Sequence, residues 1–499
     1  MHSAFTALDV VVLVTYLAGT TALGIVLGRD QKNTTDYFTA GRQIPWWAVL
    51  FSVVATETSA LTVISIPGLA YLGNLGFLQI AAGYIIGRIV VAFTLLPRYY
   101  NGQLVTAYAL LEQRFGVATR RFASIVFLVT RAFADSVRVF ATAIPIALII
   151  GPLVPSHIVM PASILILGAL TLVYTYHGGV RAVVWTDVLQ TGVYLVGGLC
   201  AVYLVGHQIP GGWSMIFHQA GAAGKLKVID LYTGFDRPQT LFAGILGGAF
   251  LSMASHGADQ VIVQRLLASA SLRDARKALI GSGIMVFLQF TLFLLIGTGL
   301  WVSMGGRHVD SPDTIFPQFI ISAMPAGLVG LLIAAILAAT MSAHSGAINS
   351  LAASTLHDIY LPITGRQAND PRSLRVAKGF TLFWGVVLLV AALLYRQQGT
   401  PVVVVALSIA SFTYGALLGG FFLGILWRRA IQRDALTGMA SGIIVMALVV
   451  FAKPLSTVLV NVPLLVPLSS VAWPWYVLIG TAVTVGVGML SSLTHSRIS

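Results

Sequence analysis

The chain has 499 residues, of which 57% are hydrophobic and only 9% charged. Soluble globular proteins carry roughly 25% charged residues, so 29 basic and 16 acidic side chains cannot coat a water-facing surface of this size. With a mean hydropathy of +0.89, the composition excludes a soluble enzyme and a disordered chain, and the single cysteine, Cys200, excludes a disulfide scaffold.

What remains is an all-α polytopic membrane protein. Transmembrane barrels alternate apolar and polar residues in segments of about 10. This chain has continuous apolar runs of about 20, the length a spanning helix needs. Thirteen runs follow in order, at 8–28, 45–71, 76–97, 121–150, 157–176, 183–206, 239–263, 279–304, 325–356, 376–395, 400–427, 434–452 and 471–493. The first is not a cleavable leader, because it lacks a basic n-region and Arg29 and Lys32 follow it.

The net charge of +13 is a topology signal. Loops after odd-numbered spans hold twenty Lys and Arg, Arg265 among them, and loops after even-numbered spans hold six. By the positive-inside rule this sets the N-terminus outside and the C-terminus in the cytoplasm of a cell (inner) membrane. There is no basic stripe or RNA-binding motif, so nucleic acid is not an expected partner. No GxxxxGK[ST] phosphate loop is present, which argues against an ATP-driven pump.

Two spans read as interrupted. The second carries Ala55-Thr56-Glu57-Thr58-Ser59-Ala60-Leu61-Thr62 at mid-membrane depth, followed by Pro67-Gly68. The seventh combines Gly244, Gly247, Gly248 and Gly257 with Ser252, Ser255, His256 and Asp259. Non-helical backbone at that depth is tolerated only where it lines a cavity. Breaks five spans apart fit a five-plus-five inverted repeat with its binding site at the breaks. The organisation expected is a single transporter domain: an extra first helix at 8–28, repeats at 45–206 and 239–427, and two C-terminal helices at 434–493. For the seventh span alone, close helix packing through small residues explains the glycines equally well.

Ionisable groups inside spans are functional candidates. They are Glu57, Asp187 near the start of the sixth span, and Arg131, Asp135 and Arg138 on one face of the fourth. An Arg–Asp–Arg face carries +1 and can receive a substrate carboxylate through a forked guanidinium; an internal salt-bridge ladder is the equal alternative. Arg88 reads as structural, or as snorkelling with Arg98. Ser342, Ser345, Asn349 and Ser350 make a polar stripe on the ninth span. With carbonyls freed at the break of the second span, such hydroxyls can cage a hard cation.

These residues resemble the sodium/solute symporter family, which includes the sodium-coupled glucose, proline, iodide and sialic acid carriers. The resemblance runs from about residue 8 to about 442 and rests on four stretches: DYFTAGRQIPWWAVLFSVVATETSALTVISIPGLAY, YTYHGGVRAVVWTDVLQ, GADQVIVQRLLASASLRDARKAL, and the Ser/Asn segment ending in HDIY. The second is similar to the family's GG-x-x-AV-x-WTD-x-x-Q signature. The resemblance implies the leucine-transporter-like 5+5 inverted repeat with an extra N-terminal helix, working by alternating access.

It also implies sites. The family's shared sodium site would take carbonyls of Ala55, Thr58 and Ala339 and the hydroxyl of Ser342. The second hydroxyl usual there is missing, since position 343 is Ala. A water, or Thr56 or Thr58 turned inward, would replace it. Members with a second sodium site use the aspartate of the WTD motif and further serines; Asp187 and Ser345 remain here, but position 346 is Gly. The substrate positions correspond to Glu57, Ser59, Thr62 and Phe77, with Asp259. Ser59 and Thr62 agree with the hydroxyls of sialic acid carriers, whose arginine falls on Ala134, one turn from both Arg131 and Arg138. Glu57 stands where sugar carriers have Asn.

The expected function is sodium-coupled import of a small polar solute: a sugar, a sugar acid or another organic acid. Na+ is the expected coupling ion, the lipid bilayer the expected surroundings, and a monomer the expected state. The alternative is a proton-coupled carrier titrating at Glu57 or Asp187. A channel or sensory transducer is a more distant reading. No catalytic motif is visible: His177, His256 and His344 lie on separate spans, so no enzyme is expected.

Overall fold

The computed structural model describes residues 5–27, 42–57, 60–101, 106–152, 154–175, 180–367, 371–396, 401–458 and 465–494. With no water to satisfy backbone N–H and C=O groups, an apolar chain in a bilayer is driven to helices, and the regular elements among the described residues are all helices, with one isolated bridge between Ile44 and Ser269. The principal helices are α1 (Ala7–Leu27), α2 (Trp46–Glu57), α3 (Ala60–Leu72), α4 (Phe77–Thr94), α5 (Val117–Ile150), α6 (Ser156–Thr175) and α7 (Val180–Gln208). They continue as α8 (Gly248–Gly257), α9 (Gln260–Leu267), α10 (Leu272–Ser303), α11 (Leu328–Ser354), α12 (Pro371–Leu394), α13 (Val402–Leu426), α14 (Gln432–Val458) and α15 (Trp475–Leu493).

Among the described residues, nine helices are long and apolar enough to cross a membrane, and the pair α2 and α3 makes a tenth, bent by 58° at its break. The seventh hydrophobic run is also interrupted. A π-helical turn (Ala243–Gly247) leads into α8, and the chain leaves helical geometry at Asp259, whose carboxylate caps α9 by accepting the Val261 N–H at 2.8 Å.

The polar interior follows from the pattern along each helix. On α5, Ile125, Val129 and Phe133 are exposed at four-residue spacing, while Arg131, Ala134 and Asp135 are buried. That is the amphipathic stripe expected of a helix with one face to lipid and one to the bundle. Lipid tails give no hydrophobic drive between helices, so close backbone approach does the packing. Gly83 and Gly87 let α4 lie directly on the π-turn and α8: a Cβ on Gly83 would strike the Gly244 carbonyl oxygen, and one on Gly87 the Ala249 carbonyl oxygen. Replacing Gly87 by Val is therefore expected to cost about 1–3 kcal/mol and to lower the thermal midpoint of the purified protein. Gly192→Ala, where nothing stands within 4 Å, is the neutral control; equal midpoints for the two would refute this packing.

Candidate functional site

The break between α2 and α3, the break between α8 and α9, and the inner faces of α4, α5, α10 and α13 surround one cavity. Its polar lining includes Thr56, Glu57, Thr62, Arg131, Arg138, Ser255, His256, Asp259 and Tyr414. Its apolar wall includes Phe77, Tyr84, Leu251, Ile262, Phe290 and Val403. Phe77 and Tyr84 both meet Phe290 edge-on, at 5.2 and 6.3 Å between ring centroids.

Glu57, at the end of α2, forms an ion pair with Arg88 of α4. Arg88 is fully buried, and its second arm donates to Ser282 Oγ on α10 at 2.7 Å. His256 Nε2 lies 3.6 Å from the same Glu57 oxygen, and its Nδ1 is 2.8 Å from Ser255 Oγ. Of the two readings of Arg88, structural or snorkelling, this is the structural one, because its partner is in the core. Burying a guanidinium without a carboxylate would leave an uncompensated charge, so Glu57 is committed to it.

The Arg131–Asp135–Arg138 face is also larger than its three residues. Arg131 Nε is 3.1 Å from Asp135, and its Nη1 is 3.5 Å from Asp259 across the cavity. Tyr414 of α13 donates its hydroxyl to Asp259. Asp259 thus brings the face to neutrality, which corrects the expected +1. The two arginines differ in what remains available. Arg131 is 7% exposed and held between two carboxylates. Arg138 is 22% exposed, with Nε 3.6 Å from Asp135 and Nη1 donating to the Thr56 carbonyl oxygen at 3.3 Å. No other partner holds Arg138 among the described residues, so it is the more exposed and the less closely paired of the two arginines that line the cavity.

The sodium candidates fall on helices that pack together. Ala55 is buried on α2, two residues from the break, and α11, which carries Ala339 and Ser342 in a continuous helix, packs against both α2 and α3. Thr58 and Ser59 lie outside the described residues, as do the side chains of Ala339 and Ser342. Thr56 donates its hydroxyl hydrogen to the Ser52 carbonyl oxygen at 2.7 Å, which leaves the oxygen's lone pairs as its only offer to a cation. Among the described residues no cluster of three or more His, Cys, Asp or Glu could hold a metal. A hard monovalent cation would therefore rely on carbonyl and hydroxyl oxygens, which suits the end of α2, where the helix gives out at Glu57.

Asp187 on α7 and Ser345 on α11 are both buried and are not among the cavity's lining residues. Asp187 accepts from Ser52 Oγ at 2.6 Å and lies 3.8 Å from Arg265 Nε. Arg265, counted from sequence as a loop residue, is 5% exposed. Among the cavity side chains that sequence reasoning left out are Tyr84, Phe290 and Tyr414, and it also missed Arg265 beside Asp187. Nothing local marks the two aromatics or Tyr414 within apolar runs, and only the meeting of distant helices identifies them.

Comparison with known proteins places this geometry. The sodium:solute symporter family matches residues 37–442. The sodium/sialic acid symporter NanT of Aliivibrio fischeri is 31% identical, over 88% of this chain and 87% of its own length. The sodium-coupled monocarboxylate transporter 2 of Mus musculus is 27% identical, over 88% and 71% respectively. The solved structure of a Na+-coupled sialic acid symporter in a substrate-bound, outward-open state superposes with a TM-score of 0.85 at 26% identity, covering 99% of both chains.

Proposed function

The chain belongs to the sodium:solute symporter family and couples solute import to sodium by alternating access; from that premise we propose that its cargo is a small organic carboxylate received by Arg138. The observation that carries this reading is the difference between the two arginines at the cavity: Arg131 pairs with two carboxylates, Asp135 and Asp259, and Arg138 with Asp135 alone, at 3.6 Å. Two relatives, by name, carry acids, sialic acid in one and a monocarboxylate in the other. The apolar wall of Phe77, Tyr84 and Phe290 suits a cargo with a hydrocarbon or ring face better than one hydroxylated all round. Ser59 and Thr62 would add hydroxyl contacts to the carboxylate, and Glu57, held by Arg88, would accept from a cargo hydroxyl.

Sodium binds, in this reading, to the carbonyl oxygens of Ala55, Thr58 and Ala339 and the hydroxyl of Ser342. Coupling then has a simple route. Arg138 grips the Thr56 carbonyl, so the helix end that presents oxygens to the ion also carries the guanidinium that holds the cargo. An ion that fixes this end preorganises the receptor, and the two ligands favour the same state by their differential affinities. Thirteen spans, divided as an extra helix at 8–28, repeats at 45–206 and 239–427 and two further helices at 434–493, complete the proposal. The termini lie on opposite faces of a cell (inner) membrane, with the N-terminus outside. The protein acts as a monomeric carrier and not as an enzyme.

A thermal-shift screen tests the cargo, because a bound ligand raises apparent stability by mass action. Sugars, sugar acids, aliphatic and aromatic carboxylates and amino acids are compared in sodium and in choline. Carboxylates should raise the midpoint in sodium and lose most of that effect in choline. Neutral sugars that stabilise as well as their acids would refute the carboxylate reading, and indifference to sodium alongside response to a pH gradient in liposomes would favour proton coupling.

A further inference from the structure

His256 Nε2 is a buried polar atom of the cavity that the carboxylate cargo alone does not engage. His256 sits in the last turn of α8, lines the cavity and is 1% exposed, yet its Nε2 has no hydrogen-bond partner among the described residues. Leaving such a group unpaired costs free energy, and a molecule in the cavity can supply the partner. The ring is held in place at its other nitrogen, since Nδ1 lies 2.8 Å from Ser255 Oγ. The nearby Ser252 hydroxyl already donates to the Tyr84 carbonyl oxygen at 3.0 Å.

Nε2 faces Glu57 Oε2 at 3.6 Å. That is too long for a good hydrogen bond between the two, and it is a spacing at which one further oxygen can sit about 2.8 Å from each. Glu57, ion-paired with Arg88, is an acceptor only. A bare Nε2 would set its lone pair against that carboxylate. The adjacent charge therefore favours the tautomer with its hydrogen on Nε2, and Ser255 then donates to Nδ1. Together the two residues offer one acceptor and one donor to a single atom. A hydroxyl meets both, giving its hydrogen to Glu57 and accepting from Nε2–H. A C–H group meets neither, and an ether oxygen lacks the donor. An ammonium has no lone pair for Nε2–H, and it finds Glu57 already neutralised by Arg88.

The place of this pair says what kind of molecule it selects. Arg138 donates to the carbonyl oxygen of Thr56, the residue before Glu57, so the carboxylate receptor and the Glu57–His256 pair are anchored to consecutive residues at the end of α2. We propose that Glu57 and His256 form a hydroxyl subsite in which His256 determines specificity, and that the cargo is a hydroxylated carboxylate, preferred over the acid lacking that hydroxyl and over the amino acid of the same skeleton. The cargo class rests on the carboxylate reading and deepens it; the subsite stands on the geometry of Glu57 and His256.

Matched acids test this by calorimetric titration of the full chain in lipid nanodiscs with sodium present. Butyrate, its 2-, 3- and 4-hydroxy derivatives and 2-aminobutyrate form one set; 3-phenylpropionate, phenyllactate and phenylalanine form another; glucose is the neutral probe. In at least one set a hydroxy acid should bind about 10- to 100-fold tighter than its deoxy and amino partners, as two added hydrogen bonds imply. His256→Phe keeps a ring and removes the donor. It should weaken the hydroxy acid to within about 3-fold of the deoxy acid and leave the deoxy acid as it was, whereas damaged packing would weaken both. His256→Gln retains an N–H and should keep part of the preference; it also serves if His256→Phe does not purify as a monodisperse protein. Equal binding of hydroxy and deoxy acids by the wild type, or a preference unchanged in His256→Phe, overturns the subsite and leaves the carboxylate reading standing. Binding of glucose but of no acid, lost in His256→Phe, overturns the carboxylate reading and keeps the subsite. Binding of no probe overturns both.

Discussion

Arg138→Gln is expected to weaken the apparent affinity for a carboxylate cargo by roughly 30- to 150-fold, with uptake at saturating cargo reduced far less. The magnitude follows from losing a charge-assisted hydrogen bond, worth about 2–3 kcal/mol. The neutral amide keeps some length and a donor for the Thr56 carbonyl but cannot offer a charged fork to an anion. Arg138→Lys should fall between, since an ammonium supplies charge without the bidentate geometry. Proteoliposome uptake over a range of cargo concentrations measures both quantities. The sodium concentration for half-maximal uptake should rise in the same variants, because cargo and ion favour the same state and weaker cargo binding therefore lowers the apparent affinity for sodium. An unchanged cargo affinity in Arg138→Gln would move the anion receptor elsewhere in the cavity.

The largest stability effect is expected from Arg88. Arg88→Met leaves Glu57 facing His256 and the cavity with no guanidinium, and breaking one side of a buried pair costs about 3–5 kcal/mol. The variant should lose much of its folded yield and unfold at a clearly lower temperature in detergent. Glu57→Gln with Arg88→Met removes both charges, and the double variant should recover most of that loss if the two groups interact chiefly with each other. Melting curves of the four proteins give the coupling. A double variant no better than Arg88→Met would mean that Arg88 acts through Ser282 and its packing, and that Glu57 is free for other work.

The hydrophobic runs were readable because each helix must satisfy its backbone alone and cover about 30 Å of hydrocarbon. The polar run around Glu57 marked a break for the same reason, and a 58° bend separates α2 from α3 there. Asp259 and the glycines before it marked the second break. Partners were not readable. Arg88 and Glu57 are 31 residues apart, Arg131 and Asp259 128, and Asp187 and Arg265 78, and periodicity within one helix says nothing about which face of another it meets. The loop count assigned Arg265 to the cytoplasm because α9 is short and follows a break, so hydropathy ended the span before it.

Composition and spacing by themselves determined a helical membrane protein with two interrupted segments and a handful of ionisable groups where lipid forbids them; that it is a carrier came from the family motifs. These follow from solvation, which acts on each segment independently. Tertiary structure alone decided which of those charges are available. Packing pairs Glu57 with Arg88, Arg131 with Asp135 and Asp259, and Asp187 with Ser52 and Arg265, and it leaves Arg138 the more exposed of the two arginines that line the cavity. In a low-dielectric interior a charge's role is set by its nearest opposite charge, and that neighbour comes from another helix.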